Sequence, residues 1–475
     1  MIKRCIWILL FACLAVPASL WTQSPGIEKP DASAVETSTE ATDPAPRQAA
    51  PAVPVEIVTI GTIGAEFDKL DGICSTWNIG CMSAGDTITR DVGGIRSTLA
   101  KHNIGFIGLG LANFGYNFLQ APQNPQVYNN EKPNWSSGIA IWTTYNVPAK
   151  KIQIVVGAEW LATNYAGLNG PNAFRFDNAY LHQSLLNGTL SYTIGYAEND
   201  TTVYGGYIAG NLATGTLGVN AVIPYALGMT FPPYPAATFN IKYDSKSGLY
   251  VIADVARSAD PRGIEINNLR DQAGFRLFPH GDGALYMPEI GYKKKSAKDI
   301  KEIWFRATGF YNSSHYQDYS SLHDVLAAVK GHNGAASVVL EQQLTQPDKY
   351  LPYRGIYWSL TGQYAVPDMN IYHQYYQAAL YSIGMWRKRP LDLVILNVNR
   401  TQFSRTALNT LEHLPKGAQS GLPTFDDSTN ASGTYGYHLR PGMILSGLLA
   451  YTKHPTFTPQ LKNPFAGQIQ VTLYY

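Results

Sequence analysis

The chain has 475 residues, which is enough for one large domain or for two to three smaller ones. Only 15% of the residues are charged and the net charge is +2, so the composition gives no electrostatic sign of a nucleic-acid partner. The mean hydropathy of -0.14 means that uncharged polar side chains supply most of the polarity. Tyrosine is abundant, with 31 residues, and its apolar ring and polar hydroxyl suit a membrane–water interface.

The first 18 residues are typical of a secretory signal peptide. Two basic residues precede an apolar stretch over residues 5–14, and small residues then suit cleavage after Ala18. A lipoprotein signal is the alternative, because residues 10–13 resemble a lipobox in which Phe11 fits poorly. The stretch is too short for a spanning helix, and no later segment reaches 18 continuous apolar residues. A membrane protein of this sequence must therefore cross as a β-barrel.

Residues 19–56 predict a disordered periplasmic tether. From residue 22 the segment is rich in Pro, Ala, Thr and Glu and contains no aromatic residue, so it cannot bury enough apolar area to fold. Residues 57–104 form a separate N-terminal segment that carries Cys74 and Cys81. In an exported chain these two cysteines are expected to close a small disulfide loop, and two free thiols are the alternative. They lack the further Cys and His ligands of a zinc site, so no metal is predicted.

Residues 94–103 predict a short amphipathic helix, with Ile95, Leu99 and Thr98 on one face. From residue 105 onward, apolar and polar residues alternate as they do in strands. The clearest runs are residues 151–162, 189–196, 237–244 and 356–364. Each run is near the 9–11 residues that a tilted membrane strand requires. Such alternation also occurs in a soluble β-sandwich, but the polar faces here carry mostly Ser, Thr, Asn, Gln and Gly rather than charge.

The final residues, 467–475, are typical of the last strand of an outer-membrane barrel. Ile469, Val471, Leu473 and Tyr475 share one face, and mostly polar residues fill the other. We therefore predict an all-β fold in which residues 105–475 form a single antiparallel transmembrane β-barrel of about 16 strands, within a range of 16–18.

Several blocks of the sequence resemble the carbohydrate-selective porins (OprB type) of Gram-negative outer membranes, and they occur in the family's order. These blocks are residues 93–100 (GGIRSTLA), 176–185 (FDNAYLHQSL), 260–263 (DPRG), 281–292 (GDGALYMPEIGY) and 304–311 (WFRATGFY). The chain departs from the family at His182, where Glu is frequent, at residues 446–448, and at Tyr475, where Phe is more usual. The long tether before residue 57 is an addition to the family's pattern.

The resemblance implies a passive, carbohydrate-selective channel for small sugars in the outer membrane. The tether that precedes the barrel is expected to lie in the periplasm. It implies no cofactor and no enzymatic activity. The implied partners are small carbohydrates, outer-membrane lipid and lipopolysaccharide, and the barrel-assembly machinery, which would meet the C-terminal strand ending in Tyr475. The alternative function is a barrel accessory of a polysaccharide secretion or surface-assembly system that acts through the tether.

A sugar channel needs inward-facing side chains that exchange hydrogen bonds with sugar hydroxyls or stack on the sugar ring without binding it tightly. The alternation of side chains along the strands assigns six such candidates to the lumen. His182 and Glu289 are added because of their places in the blocks that resemble the family. The six are Lys151, Glu159, Lys242, Asp244, Trp304 and Arg306. Each could equally be a solvated lumen residue that contacts no sugar.

Two further patterns bear on function. Lys293, Lys294, Lys295, Lys298 and Lys301 form a basic run that predicts a solvated turn, with a lipopolysaccharide or anionic-polymer contact as the alternative. The sequence contains no Gly-x-x-x-x-Gly-Lys-Ser/Thr, His-Glu-x-x-His or Gly-x-Ser-x-Gly motif. A hydrolase is therefore the weakest hypothesis.

Overall fold

The structure of the protein is a computed structural model. It describes residues 64, 66–71, 83–119, 131–164, 173–202, 204, 223–230, 234–263, 266–267, 270–271, 275–277, 282–321, 330–413, 424–457 and 461–475. The predicted signal peptide, the predicted tether, Cys74 and Cys81 lie outside these residues. Across the described ranges, no helix is long and apolar enough to cross a membrane.

Seventeen antiparallel strand segments of the described chain form one sheet, which closes because the first segment pairs with the last. They are β1 (Ile104–Asn117), β2 (Asn134–Val147), β3 (Ile152–Thr163), β4 (Ala173–Leu185), β5 (Leu190–Ala197), β6 (Ala236–Asp244), β7 (Leu249–Arg257), β8 (Ala284–Tyr286), β9 (Glu289–Lys294), β10 (Ile303–Gln317), β11 (Lys330–Gln343), β12 (Gly355–Ala365), β13 (Tyr372–Ile383), β14 (Leu393–Phe403), β15 (Asp427–Arg440), β16 (Met443–Lys453) and β17 (Phe465–Tyr474). The α-helices whose two ends both lie among the described residues are α1 (Ile95–Lys101), α2 (Asn199–Thr202), α3 (Ile223–Ala226) and α4 (Arg405–His413).

Segments β8 and β9 share one position in the barrel. Both pair with β7 on one side and with β10 on the other. Met287 and Pro288 separate them, and Pro288 has no N–H to donate to the sheet. The barrel therefore has 16 strand positions, which confirms the predicted number.

The side chains alternate between the two faces of the wall as predicted. In β6, Phe239, Ile241 and Tyr243 are exposed on the outside, whereas Thr238 and Asn240 are buried on the inside. In the last strand, Ile469 is exposed. The outer wall is therefore apolar and the inner wall is polar, as a barrel in lipid requires.

The two ends of the barrel differ in the length of their connections. We call one end the short-turn rim, where hairpins such as residues 148–151, 245–248 and 441–442 join the strands. We call the other end the long-loop rim, where the connections include residues 198–235 and 258–283. In outer-membrane barrels the short turns face the periplasm and the long loops face outward.

Helix α1 lies at the short-turn rim, within the stretch predicted to be helical, but the predicted apolar face is wrong. Ile95 is exposed, and the one buried side chain of α1 is Arg96. Its guanidinium donates hydrogen bonds to the main-chain oxygens of Phe106, at 3.0 Å, and Tyr475, at 2.8 Å, and lies 3.4 Å from the Asp71 carboxylate. Arg96 is buried because it satisfies main-chain acceptors where the first and last strands meet.

Candidate pore constriction

In the described part of the connection between β5 and β6, Tyr204 contacts the inner wall at β10 and β11. The Tyr204 hydroxyl lies 3.0 Å from the Ser337 hydroxyl on β11. The Arg306 guanidinium of β10 lies 4.3 Å from the centre of the Tyr204 ring and donates a hydrogen bond to the Tyr204 carbonyl. We call this Tyr204 contact the latch.

A second anchor of the same connection begins at α3. Ile223 and Leu227 are buried in the apolar cluster inside the barrel, and the Asn312 amide of β10 donates a hydrogen bond to the Leu227 carbonyl. Gly228 has a positive φ of 89°, and a Cβ there would collide with Ser258 and Asn312. Glycine is therefore required where this segment turns against the wall.

The long loop after β7 supports this second anchor. The Ala259 N–H donates to the Gly228 carbonyl at 2.8 Å. In the same loop, the Arg270 guanidinium lies 2.8 Å from the Asp260 carboxylate and 3.4 Å from the Asp282 carboxylate. Burial raises the pKa of Asp282 to about 6, and the neighbouring Asp260 carboxylate contributes to the same shift.

This pKa predicts that the loop loses stability as the pH rises through about 6. An unfolded Asp has a pKa near ~3.9, so the folded loop binds the Asp282 proton more tightly. The resulting stabilisation is full below about pH 4, is lost as the pH rises through about 6, and amounts to at most about 3 kcal/mol. Amide hydrogen exchange in residues 257–263, corrected for the intrinsic rate, should be slower at about pH 4 than at about pH 8. Asp282→Asn should remove the pH dependence of this exchange. The control Asp368→Asn, in a loop at the same rim, should leave the pH dependence as in the wild-type protein. An unchanged pH dependence in Asp282→Asn would refute the assignment of the effect to Asp282.

Three of the candidate lumen residues meet in one buried network. The Arg306 Nη2 atom lies 2.7 Å from Glu289 Oε2, and the Trp304 indole N–H donates to the Tyr250 hydroxyl at 3.0 Å. The Tyr250 hydroxyl in turn donates to Glu289 Oε1 at 2.8 Å. The exposed fractions are 1% for Arg306, 3% for Trp304 and 6% for Glu289. These three side chains therefore face the inside of the barrel but are largely covered.

The network depends on a small residue in β9. Gly291 pairs with Tyr250 across the sheet, and a Cβ at position 291 would collide with the Tyr250 ring. The Thr308 hydroxyl adds a donor to Glu289 Oε2 at 2.6 Å. A buried carboxylate that is paired and hydrogen-bonded in this way has its desolvation cost offset.

A second group of candidates lies nearer the short-turn rim and remains open. The Lys242 ammonium lies 3.0 Å from the Asp244 carboxylate, and the two side chains are 30% and 42% exposed. Lys242 also lies 5.1 Å from the centre of the Tyr250 ring, which connects it to the buried network. His182 Nδ1 lies 3.0 Å from the Thr193 hydroxyl on the neighbouring strand.

The remaining two candidates lie elsewhere. Glu159 is buried beside Asp177 and Glu198, with carboxylate oxygens within 4.8 Å of one another. At this spacing carboxylates repel strongly unless a proton or cation is shared. Lys151 does not lie in a strand as predicted: it ends the turn before β3, where its φ is positive, and its ammonium is exposed and reaches Asn187 at 3.4 Å.

The residues that organise the network were not among the candidates from the sequence. Tyr250 and Thr308 lie on inward positions of β7 and β10, so alternation could have found them. Tyr204 lies in a segment without alternation and gave no signal. The basic run is also divided: Lys293 and Lys294 belong to β9, and Lys293 lies 4.2 Å from the centre of the Trp304 ring, whereas Lys295, Lys298 and Lys301 follow the strand.

Comparisons with known proteins agree with this architecture. The family model described as "Carbohydrate-selective porin, OprB family" matches residues 137–473. A search of curated proteins gives no significant match. The high-pH structure of Pseudomonas putida OprB superposes with a TM-score of 0.68 at 15% identity, covering 82% of this chain and 98% of that one. The low-pH structure of the same protein gives a TM-score of 0.50 at 13% identity, with the same coverage.

The matched residues extend from β2 to the last strand and include the wall that carries the buried network. The match favours a porin over the accessory of a polysaccharide-assembly system. It also assigns the barrel to the Gram-negative outer membrane, in agreement with its apolar outer wall. This chain therefore belongs to the OprB family of carbohydrate-selective porins.

Proposed function

We propose that small neutral sugars diffuse past the latch along the open wall that carries Lys242, Asp244 and His182. The observation that carries this proposal is the difference in exposure between the two groups of candidates. Lys242 and Asp244 are about one-third exposed to the lumen, whereas Arg306 is 1% exposed. Sugars can contact only side chains that they can reach.

In this proposal the two groups have different roles. The ammonium of Lys242 donates hydrogen bonds to sugar hydroxyls and the carboxylate of Asp244 accepts them, so both can replace water around a passing sugar. The pair is exposed and screened by water, so its bonds form and break readily. Arg306, Glu289 and Trp304 hold the connection around Tyr204 in position and set the width of the lumen.

We propose that transport involves no chemical step and no cofactor, in line with the family's role as passive channels.

We also propose that β17 is the strand that the barrel-assembly machinery recognises, through its outward residues Ile469, Val471 and Leu473. Lipopolysaccharide would meet the barrel at the long-loop rim. Residues 1–18 and 19–56 retain their proposed roles as signal peptide and periplasmic tether. Glu159 and Lys151 lie outside the proposed sugar path, because Glu159 is only 7% exposed and Lys151 lies in an exposed turn at the short-turn rim.

Liposome swelling tests the sugar path. Purified, refolded protein should admit neutral monosaccharides faster than amino acids or salts of similar size. Asp244→Ala and Lys242→Ala should each lower the monosaccharide rate by about two- to ten-fold, since each removes a hydrogen-bonding group from the open wall. Lys246→Ala is the matched control, because Lys246 is an exposed lysine of the same hairpin.

The proposal fails if both lumen variants swell like the control while the refolded barrel is intact on gels. Equal rates for all small solutes in the wild-type protein would mean a general porin without preference for sugars. A correctly folded barrel that gives no swelling at all would exclude diffusion of small solutes.

A further inference from the structure

The two rims of the barrel carry opposite charge. At the short-turn rim, residues 148–151, 186–189, 245–248, 294–302, 344–354, 384–392 and 440–442 contain 13 Lys or Arg residues and 4 Asp or Glu residues. The connections of the long-loop rim contain 7 Lys or Arg residues and 12 Asp or Glu residues. An asymmetry of this size produces a positive potential at one end of the molecule.

Most of the basic side chains at the short-turn rim are not neutralised by a nearby acid. Two of them form ion pairs there, Arg354 with Asp348 at 3.1 Å and Arg389 with Asp392 at 3.0 Å. Ten others have no carboxylate within 4.0 Å among the residues that the structure describes. The ten are Lys150, Lys151, Lys246, Lys294, Lys295, Lys298, Lys301, Lys349, Arg387 and Lys388.

Large apolar side chains are exposed between these bases. Leu186, Leu344, Tyr350, Met385, Trp386 and Leu439 have exposed fractions of 40–73%. Tyr350 follows Lys349, and Trp386 precedes Arg387 and Lys388. Aromatic and apolar residues beside Lys and Arg are typical of a surface at the boundary between acyl chains and headgroups.

We propose that the short-turn rim binds anionic phospholipid headgroups of the periplasmic leaflet. The bases supply the attraction to the headgroup phosphates, and the exposed Trp, Tyr, Met and Leu side chains insert at the level of the glycerol backbone. A site for soluble anions would need the bases but not the apolar residues between them. The rim therefore fits a lipid surface, and the binding does not depend on which sugar passes through the lumen.

The test uses the full refolded chain in nanodiscs that contain equal amounts of phosphatidylglycerol and phosphatidylcholine. After exchange into mild detergent, native mass spectrometry counts the lipids that stay bound. The wild-type protein should retain phosphatidylglycerol in preference to phosphatidylcholine. Arg387→Gln/Lys388→Gln should lower this preference by about 25-fold, because each base near an anionic surface contributes about five-fold.

The matched control is Lys453→Gln/Lys462→Gln, which removes two exposed lysines near the long-loop rim and should leave the preference unchanged. Trp386→Ala should lower the retention of both lipids. Sugar swelling should be normal in all three variants, so failure here is distinct from failure of the sugar path. Equal retention of the two lipids by the wild-type protein, an equal loss in the control, or displacement of the lipid by excess inorganic phosphate would overturn the proposal.

Discussion

Tyr204→Ala is expected to break the latch between the β5–β6 connection and strands β10 and β11, and to admit larger sugars. The substitution removes the ring beneath the Arg306 guanidinium and the hydroxyl that meets Ser337. A cation–π contact of about 0.5–2 kcal/mol and a hydrogen bond of about 0.5–1.5 kcal/mol are lost. The latch should therefore weaken by about 1–3.5 kcal/mol, which raises the released population by about five- to 370-fold. Single-channel conductance and the swelling rate with a trisaccharide should both increase.

Tyr204→Phe is the matched control for this prediction. It keeps the ring on Arg306 and removes only the hydroxyl, so the latch should weaken by about 1 kcal/mol. Its conductance should stay close to that of the wild-type protein. If the alanine variant has wild-type conductance and size selectivity, Tyr204 does not hold the constriction.

Arg306→Ala is expected to destabilise the barrel more than any change at the open wall. The substitution leaves the Glu289 carboxylate buried without its cation, although Tyr250 and Thr308 still donate hydrogen bonds to it. Removing one partner of a buried ion pair costs about 3–5 kcal/mol. Reversible urea unfolding from lipid vesicles, followed by tryptophan fluorescence, should show a lower midpoint with an unchanged slope.

The double variant Glu289→Leu/Arg306→Met distinguishes the contribution of the ion pair to stability from that of the packing around it. Replacing both members of a buried pair with apolar residues of similar size is often neutral for stability. The double variant should therefore be more stable than Arg306→Ala alone. If both are equally destabilised, the cost arises from lost packing around Trp304 and not from an unpaired carboxylate.

The barrel wall could be predicted from the sequence because side chains in a strand alternate with a fixed period of two. In β6, that rule assigns Phe239, Ile241 and Tyr243 to lipid and Lys242 and Asp244 to the lumen, as the structure has them. The rule failed at Lys151, because the backbone there has already left the strand for a turn. Helical periodicity likewise failed to identify the buried side chain of α1, because Arg96 is buried through contacts with residues distant in the sequence.

By itself, the sequence determined a closed antiparallel sheet of 16–18 strands, its apolar outside, its polar inside and the family blocks along the wall. These follow from local side-chain periodicity and from residues read in chain order. Only the tertiary structure decided which lumen residues stay open and which are covered. Tyr204 contacts Arg306 across 102 positions of sequence, from a segment that has no alternation to mark its direction. The cover over the Arg306 guanidinium depends on where Tyr204 lies inside the barrel, and strand periodicity carries no information about that position.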